Sequence, residues 1–177
     1  MLEKTDKFIQ TYTGARVTMP VPRVEEINII DIAHALSLLC RFTGHTEQFY
    51  SVAEHCIRVA QLVEPKDKLA ALLHDASEAY LGDISTPLKE WLPEYKGFEQ
   101  ATLEVIYKAF NVTGYDLGAI KKADSILCMT EARDLLGSTN GWSSRSDPLP
   151  SHIVPWSYNA IEPLYLAIFR ILWRAKA

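Results

Sequence analysis

With 177 residues, 48% of them hydrophobic, the chain is long enough to bury one real core and too short for two independent ones. A net charge of −4 supplies no basic face for a long nucleic acid, and no apolar run approaches the ~20 residues that a membrane helix needs. Cys40, Cys56 and Cys128 lie in apolar runs without CxxC spacing, and MLEKTDKFIQTYTG lacks a signal-peptide core, so the expectation is a cytoplasmic single domain over residues 1–177 with reduced cysteines.

Residues 14–30, GARVTMPVPRVEEINII, place Pro20 and Pro22 among β-branched residues and predict an extended arm. Asp31 then reads as an N-cap, and helix formers continue to about Phe42. GHTEQFYS is a loop ending on Ser51, a second capping residue. Over 52–63, Val52, Cys56, Val59, Leu62 and Val63 share one side at about 100° per residue, Glu54, Arg58 and Gln61 lie opposite, and His55 falls on the edge of the apolar side. A further helix over about 67–80 carries the stripe Leu69, Leu72, Leu73, Ala76 and Tyr80, and Gly82 ends it. DISTPLKEWLPEYKGF is a broken connection. Helices follow at about 99–110 and 119–136, then a Gly-, Ser- and Pro-rich loop over 137–156, and a last apolar helix from about Pro163 to Arg174. Helices this numerous with so little strand predict an all-α bundle with a short extended N-terminal arm.

Chemistry concentrates in ALLHDASEAYLGD. On one helix His74, Asp75 and Glu78 would form a single polar face, with Asp83 just past the break at Gly82 and small neighbours at Ala71, Ala76 and Ala79 that let another helix approach. Asp124 shares a helix side with Ile120, Leu127, Cys128 and Leu135, so it should point inward. An unpaired carboxylate there costs several kcal/mol, and something cationic should meet it. Glu131 lies on that side too, and a buried ion pair with Arg133 or Arg41 is the plain structural alternative. His55 alone would ordinarily be a satisfied core histidine. Taken together, His55, His74, Asp75 and Asp124 offer two imidazole nitrogens and two carboxylates, a set suited to a divalent Zn, Mn, Co or Fe ion, with Mg also possible and coordination left open for water.

In order, SVAEHCIRVA, ALLHDASEAYLGDISTPLK and KKADSILCMTEARDL resemble the H…HD…D pattern of the HD-domain metal-dependent phosphohydrolases, and within them the bacterial YfbR-like 5′-deoxynucleotidase branch and its phage relatives that hydrolyse deoxynucleoside triphosphates. The resemblance covers roughly residues 28–136. It implies an HD-domain helical bundle in which His55, His74, Asp75 and Asp124 ligate the metal. Glu78 and Asp83 would orient the attacking water or protonate the leaving oxygen, with the two roles not separated. Arg41 would hold phosphate while Phe42, a Trp in the deoxynucleotidase relative, flanks sugar or base; Arg41 as the partner of Glu131 remains the alternative. His45 and Lys89 are further candidates for phosphate contact. The implied substrate is a small deoxynucleotide, a 5′-monophosphate yielding deoxynucleoside and phosphate, or alternatively a triphosphate releasing triphosphate. Self-association as a dimer or larger is implied as well. A non-catalytic helical binding module is the rival from another class, and an HD-type oxygenase would need additional metal ligands that the sequence does not offer.

Overall fold

The computed structural model describes residues 7–140, 142 and 146–175. An antiparallel pair, β1 (Phe8–Gln10) and β2 (Arg16–Thr18), precedes eight helices: α1 (Ile29–Leu38), α2 (Val52–Gln61), α3 (Lys68–Leu72), α4 (Glu78–Leu81), α5 (Thr86–Lys89), α6 (Pro93–Ala109), α7 (Leu117–Leu135) and α8 (Tyr158–Arg174). The all-α bundle with an N-terminal arm is what the sequence predicts. Helix α2 lies at its centre, packed against α1, α3, α7 and α8. Its Val52, Ala53, Cys56, Ile57 and Val59 are fully buried, so every group it carries inward is shielded from water.

Several boundaries move for identifiable reasons. Asp31 is not an N-cap. Asn28 caps α1 by accepting from the Ile30 N–H at 2.9 Å, which starts the helix earlier. Asp31 is buried instead, and its carboxylate accepts from the Thr13 N–H at 2.7 Å and from the Thr11 and Thr13 hydroxyls at 2.9 Å each. It thereby pins the N-terminal hairpin to α1. The same helix stops at Leu38, short of Phe42, because Leu39 turns extended and Cys40 pairs with Ser51 as an isolated antiparallel bridge. Arg41 and Phe42 therefore sit in a tight 3₁₀ turn outside the helix, with Phe42 and Thr43 both in the left-handed region at φ 53° and 55°. Ser51 caps α2 as expected, its hydroxyl accepting from the Glu54 N–H at 3.1 Å.

The expected helix over 67–80 is broken. After Leu72 the backbone passes through tight turns, with Ala76 N–H bonded to the Leu73 carbonyl and Glu78 N–H to the Asp75 carbonyl, both at 3.0 Å, before α4 resumes. His74 and Asp75 lie in that interruption and not on a regular helical face. The apolar stripe survives the break, since Leu69, Leu72, Leu73, Ala76 and Tyr80 are all buried. Gly82 closes α4 at φ 83°, a conformation that a side chain would strain.

Helix α6 begins at Pro93, earlier than the expected start near Glu99, because Pro is pre-organised for a first helical turn. Helix α8 likewise begins before Pro163, which is held inside it by the burial of Ile161, Tyr165 and Phe169. Of the polar residues on the opposite face of α2, Gln61 is exposed but Glu54 is not. Glu54 is 1% exposed, because the segment before α8 crosses over it. Trp156 N–H donates to Glu54 at 3.1 Å, Arg58 donates to the same carboxylate at 2.7 Å, and the guanidinium lies 4.3 Å from the Trp156 ring centre. All three cysteines are free thiols, and among the described residues no helix is long and apolar enough to cross a membrane.

Candidate metal centre

Three elements deliver the cluster. His55 comes from the buried middle of α2, His74 and Asp75 from the break after α3, and Asp124 from α7. The Nε2 atoms of the two histidines are 3.3 Å apart. Asp75 Oδ2 lies 3.3 Å from His74 Nε2 and 3.7 Å from His55 Nε2, and one ligand atom from each of His55, His74 and Asp75 falls within 4.8 Å of the others. Asp124 joins on the α7 side, its Oδ1 3.1 Å from His55 Nε2. It sits at the rim, where the sequence predicts an inward side chain; its side chain is 41% exposed.

The outer nitrogens decide what the inner ones can do. His74 Nδ1 lies 2.7 Å from the Ala71 carbonyl, and His55 Nδ1 lies 2.7 Å from Glu131 Oε1. Both partners only accept, so each Nδ1 carries the proton and each neutral ring turns an Nε2 lone pair toward the other. Two lone pairs at 3.3 Å beside two carboxylates call for positive charge between them. Burial and the Arg41 guanidinium press the His55 pKa down, but Glu131 and Asp124 outweigh them and lift it to about 9. For Asp124, burial is likewise overcome by His55, His74 and Arg41, which hold its carboxyl well below the usual range. The donor set of imidazole nitrogens and carboxylate oxygens, already oriented by hydrogen bonds behind it, fits a divalent ion of the zinc, manganese, cobalt or iron class.

Arg41 packs against this group from the turn after α1. Its Nε and Nη2 each reach Glu131 Oε2 at 3.0 Å, and Nη1 lies 3.7 Å from Asp75 Oδ2. Glu131 therefore pairs with Arg41 and not with Arg133, which binds Asp134 instead. Glu131, fully buried, bridges Arg41 and His55, and burial notwithstanding, those two hold its pKa down. Sequence spacing shows Glu131 on the Asp124 face, two turns on, but not that it reaches His55 as well as Arg41.

Glu78 and Lys89 line one cavity with Asp75, and Asp83 acts on Glu78 through its charge. Glu78 is 5% exposed, its Oε1 is 3.4 Å from Lys89 Nζ, and among the described residues its buried Oε2 has no hydrogen-bond partner. Burial, then the Asp75 and Asp83 carboxylates, push its pKa up to about 9. Asp83 is raised as well by burial and Asp75, against the pull of Arg41 and Lys89. Lys89 is held by Glu99 at 2.7 Å. Phe42 stands 5.4 Å from the Arg41 guanidinium and 6.0 Å from the exposed Trp142 ring, so it neighbours the cluster through Arg41. His45 is exposed at the end of the turn, and among the described residues no side-chain hydrogen bond or ion pair joins it to the cluster.

A helical bundle with this His, His, Asp group, backed by Glu131 and flanked by Asp124, is a protein with a candidate divalent-metal site. No known family model matches the chain. It is 42% identical over 128 residues to the uncharacterized protein YfdR of Escherichia coli strain K12, spanning 72% of each chain. It is also 32% identical over 147 residues to the uncharacterized protein RCAP_rcc00048 of Rhodobacter capsulatus, spanning 75% of each. The chain belongs to the same family as these two proteins.

Proposed function

We propose that this protein is an HD-domain metal-dependent phosphohydrolase acting on a small 2′-deoxynucleotide, most simply a 5′-monophosphate cleaved to deoxynucleoside and phosphate. The observation that carries this reading is the convergence of His55, His74, Asp75 and Asp124, from three separate elements, beside the buried carboxyl of Glu78. A divalent cation held there would neutralise charge on the transferring phosphoryl group and acidify water. Asp75 and Asp124 would balance that cation, while Glu131 and the Ala71 carbonyl fix the two imidazoles with their Nε2 atoms inward.

Net reaction requires one proton to leave water and one to reach the ester oxygen. Of Glu78 and Asp83, one ionised carboxylate would take the proton from water while the other, protonated, would give one to the ester oxygen; burial and their mutual repulsion favour keeping a proton on the pair. Arg41 supplies a fixed guanidinium at one edge of the cluster, and Lys89 an ammonium at the other, for the phosphate oxygens. Cytoplasmic location and self-association belong to the same reading, the latter consistent with exposed Ile171 and Trp173 on α8.

The test is to purify the protein, strip and restore Mn, Co or Zn, and screen deoxynucleoside mono-, di- and triphosphates. Metal-dependent release of phosphate from a monophosphate is expected. Release of triphosphate would shift the assignment to the triphosphohydrolase alternative, and metal-free protein with undiminished turnover, or no turnover with any metal, would overturn it.

A further inference from the structure

Two cavities, each of about 220 Å³, meet at His74, Gln100 and Leu103. One is charged: Asp75, Glu78 and Lys89 line it, together with Ser77 and Glu99. Its neighbour, between α6 and α7, is different in kind. Leu103, Tyr107, Tyr115, Leu117 and Ile120 wall it, and it runs up to Asp124. His74 thus stands where a polar compartment and an apolar one join; beside a cation held by the His55, His74 and Asp75 group, Lys89 and Lys96 on the charged side would suit a phosphate head, and the apolar side suits an uncharged body.

We infer that the α6–α7 cavity receives the planar heteroaromatic base of the substrate, with Leu103 and Tyr115 setting that specificity; the inference rests on the hydrolase reading above. Three features select a base over other organic groups. The walls are aromatic and fixed: the Tyr107 hydroxyl donates to the Ala70 carbonyl at 2.9 Å, and Tyr115 meets that ring edge-on at 5.2 Å and 78°. Aromatic walls stack any base, because every base has a π-face. The rim is polar, with Gln100 Nε2 donating to Glu104 Oε1 at 2.8 Å on α6 and Lys121 lining the cavity from α7. These groups offer donors and acceptors to a ring's heteroatom edge, which an alkyl chain would leave unused. The volume, below the roughly 300 Å³ at which drug-sized pockets begin, suits one ring system. A polyphosphate tail there would meet apolar walls and the Glu104 and Asp124 carboxylates against the single lysine Lys121, whereas Lys89 and Lys96 line the other cavity.

The experiment compares a deoxynucleoside 5′-monophosphate with 2-deoxyribose 5-phosphate, which has the same ester and no base, in the metal-loaded wild type and in L103W, which fills the cavity, and Y115L, which removes a ring. Expected in the wild type is a KM about tenfold or more lower for the nucleotide, within the range a stacked base contributes, and a KM ratio that falls toward one in both variants. A second arm titrates the phosphate-free deoxynucleoside into the protein by NMR, with circular dichroism confirming the fold of each variant. Binding that weakens about tenfold in L103W or Y115L supports the pocket. A KM ratio unchanged by both variants, or no binding of the deoxynucleoside to the wild type, overturns it. Should neither phosphate be hydrolysed, the hydrolase reading fails by itself, and the binding arm still decides the cavity.

Discussion

Replacing Glu131 by Gln preserves shape and removes one charge at the point that joins Arg41 to His55. Glu131 Oε1 takes the His55 Nδ1–H at 2.7 Å, and Oε2 takes two Arg41 N–H groups at 3.0 Å each. Gln has one oxygen for these two sides, so its NH₂ must confront a donor. If the oxygen serves Arg41, the His55 proton is driven from Nδ1 to Nε2, the atom that faces His74. Loss of such an orienting partner costs about 10- to 100-fold in metal affinity, or about 1.4 to 2.7 kcal/mol. Fold stability falls by about 3 kcal/mol, the lower end for a broken buried pair, because Asp75 at 3.7 Å still balances Arg41. The assay is a chelator-competition titration with zinc across pH, beside urea unfolding of the metal-free protein. Metal must displace the proton from His55, so wild-type affinity rises about tenfold per pH unit up to its pKa near 9 and then levels. Without the carboxylate that pKa drops and the plateau arrives at lower pH, so affinities compared above pH 9 isolate the orienting effect. Affinity within about twofold of wild type there, with an unmoved plateau, would refute the orienting role of Glu131.

Asp75→Ala should abolish metal binding and turnover together, and a variant that retains stoichiometric metal by elemental analysis would remove Asp75 from the ligand set. Glu78→Ala should keep its metal while turnover falls by about 10² to 10⁴; loss of metal instead would make Glu78 a ligand. Arg41→Ala leaves Glu131 buried without its guanidinium, a cost of about 3 to 5 kcal/mol, and should also raise KM for the nucleotide. An unaltered KM would confine Arg41 to the structural pair. Asp134 ties His152 and Ile153 to α7: it binds Arg133, His152 and the Ile153 N–H, and these hold its carboxyl far below the ordinary range. A depressed carboxylate stabilises the fold above its unfolded pKa of about 4 and loses that contribution as pH falls below it. Asp134→Asn should therefore cost about 1 to 3 kcal/mol at neutral pH, and the gap to wild type should narrow in acid; a gap constant from pH 7 to pH 3 would defeat the assignment.

The legibility of the fold tracks how local each feature is. The stripe from Leu69 to Tyr80 is buried as its spacing predicts, even though the helix under it breaks, because burial of a repeating apolar pattern tolerates a tightened turn. Ser51 and Gly82 act where their chemistry places them. Asp31 and Glu54 show the limit. Asp31 reads from the sequence as a cap and Glu54 as lying opposite an apolar stripe, yet each is buried by a partner distant in sequence, the Thr11–Thr13 hairpin for one and the Trp156 segment for the other.

Sequence by itself determined that this chain folds as a helical bundle behind a short extended arm and which side chains carry imidazole and carboxylate chemistry, since both follow from residue type and short-range spacing; that α2 is the buried centre came from its tertiary packing. Only the tertiary structure decided that His74 and Asp75 leave the helix to meet His55, that Glu131 is shared between His55 and Arg41, and that a polar and an apolar cavity join at His74. Those outcomes depend on groups 19 to 90 residues apart paying desolvation jointly, a balance that no local stretch of sequence contains.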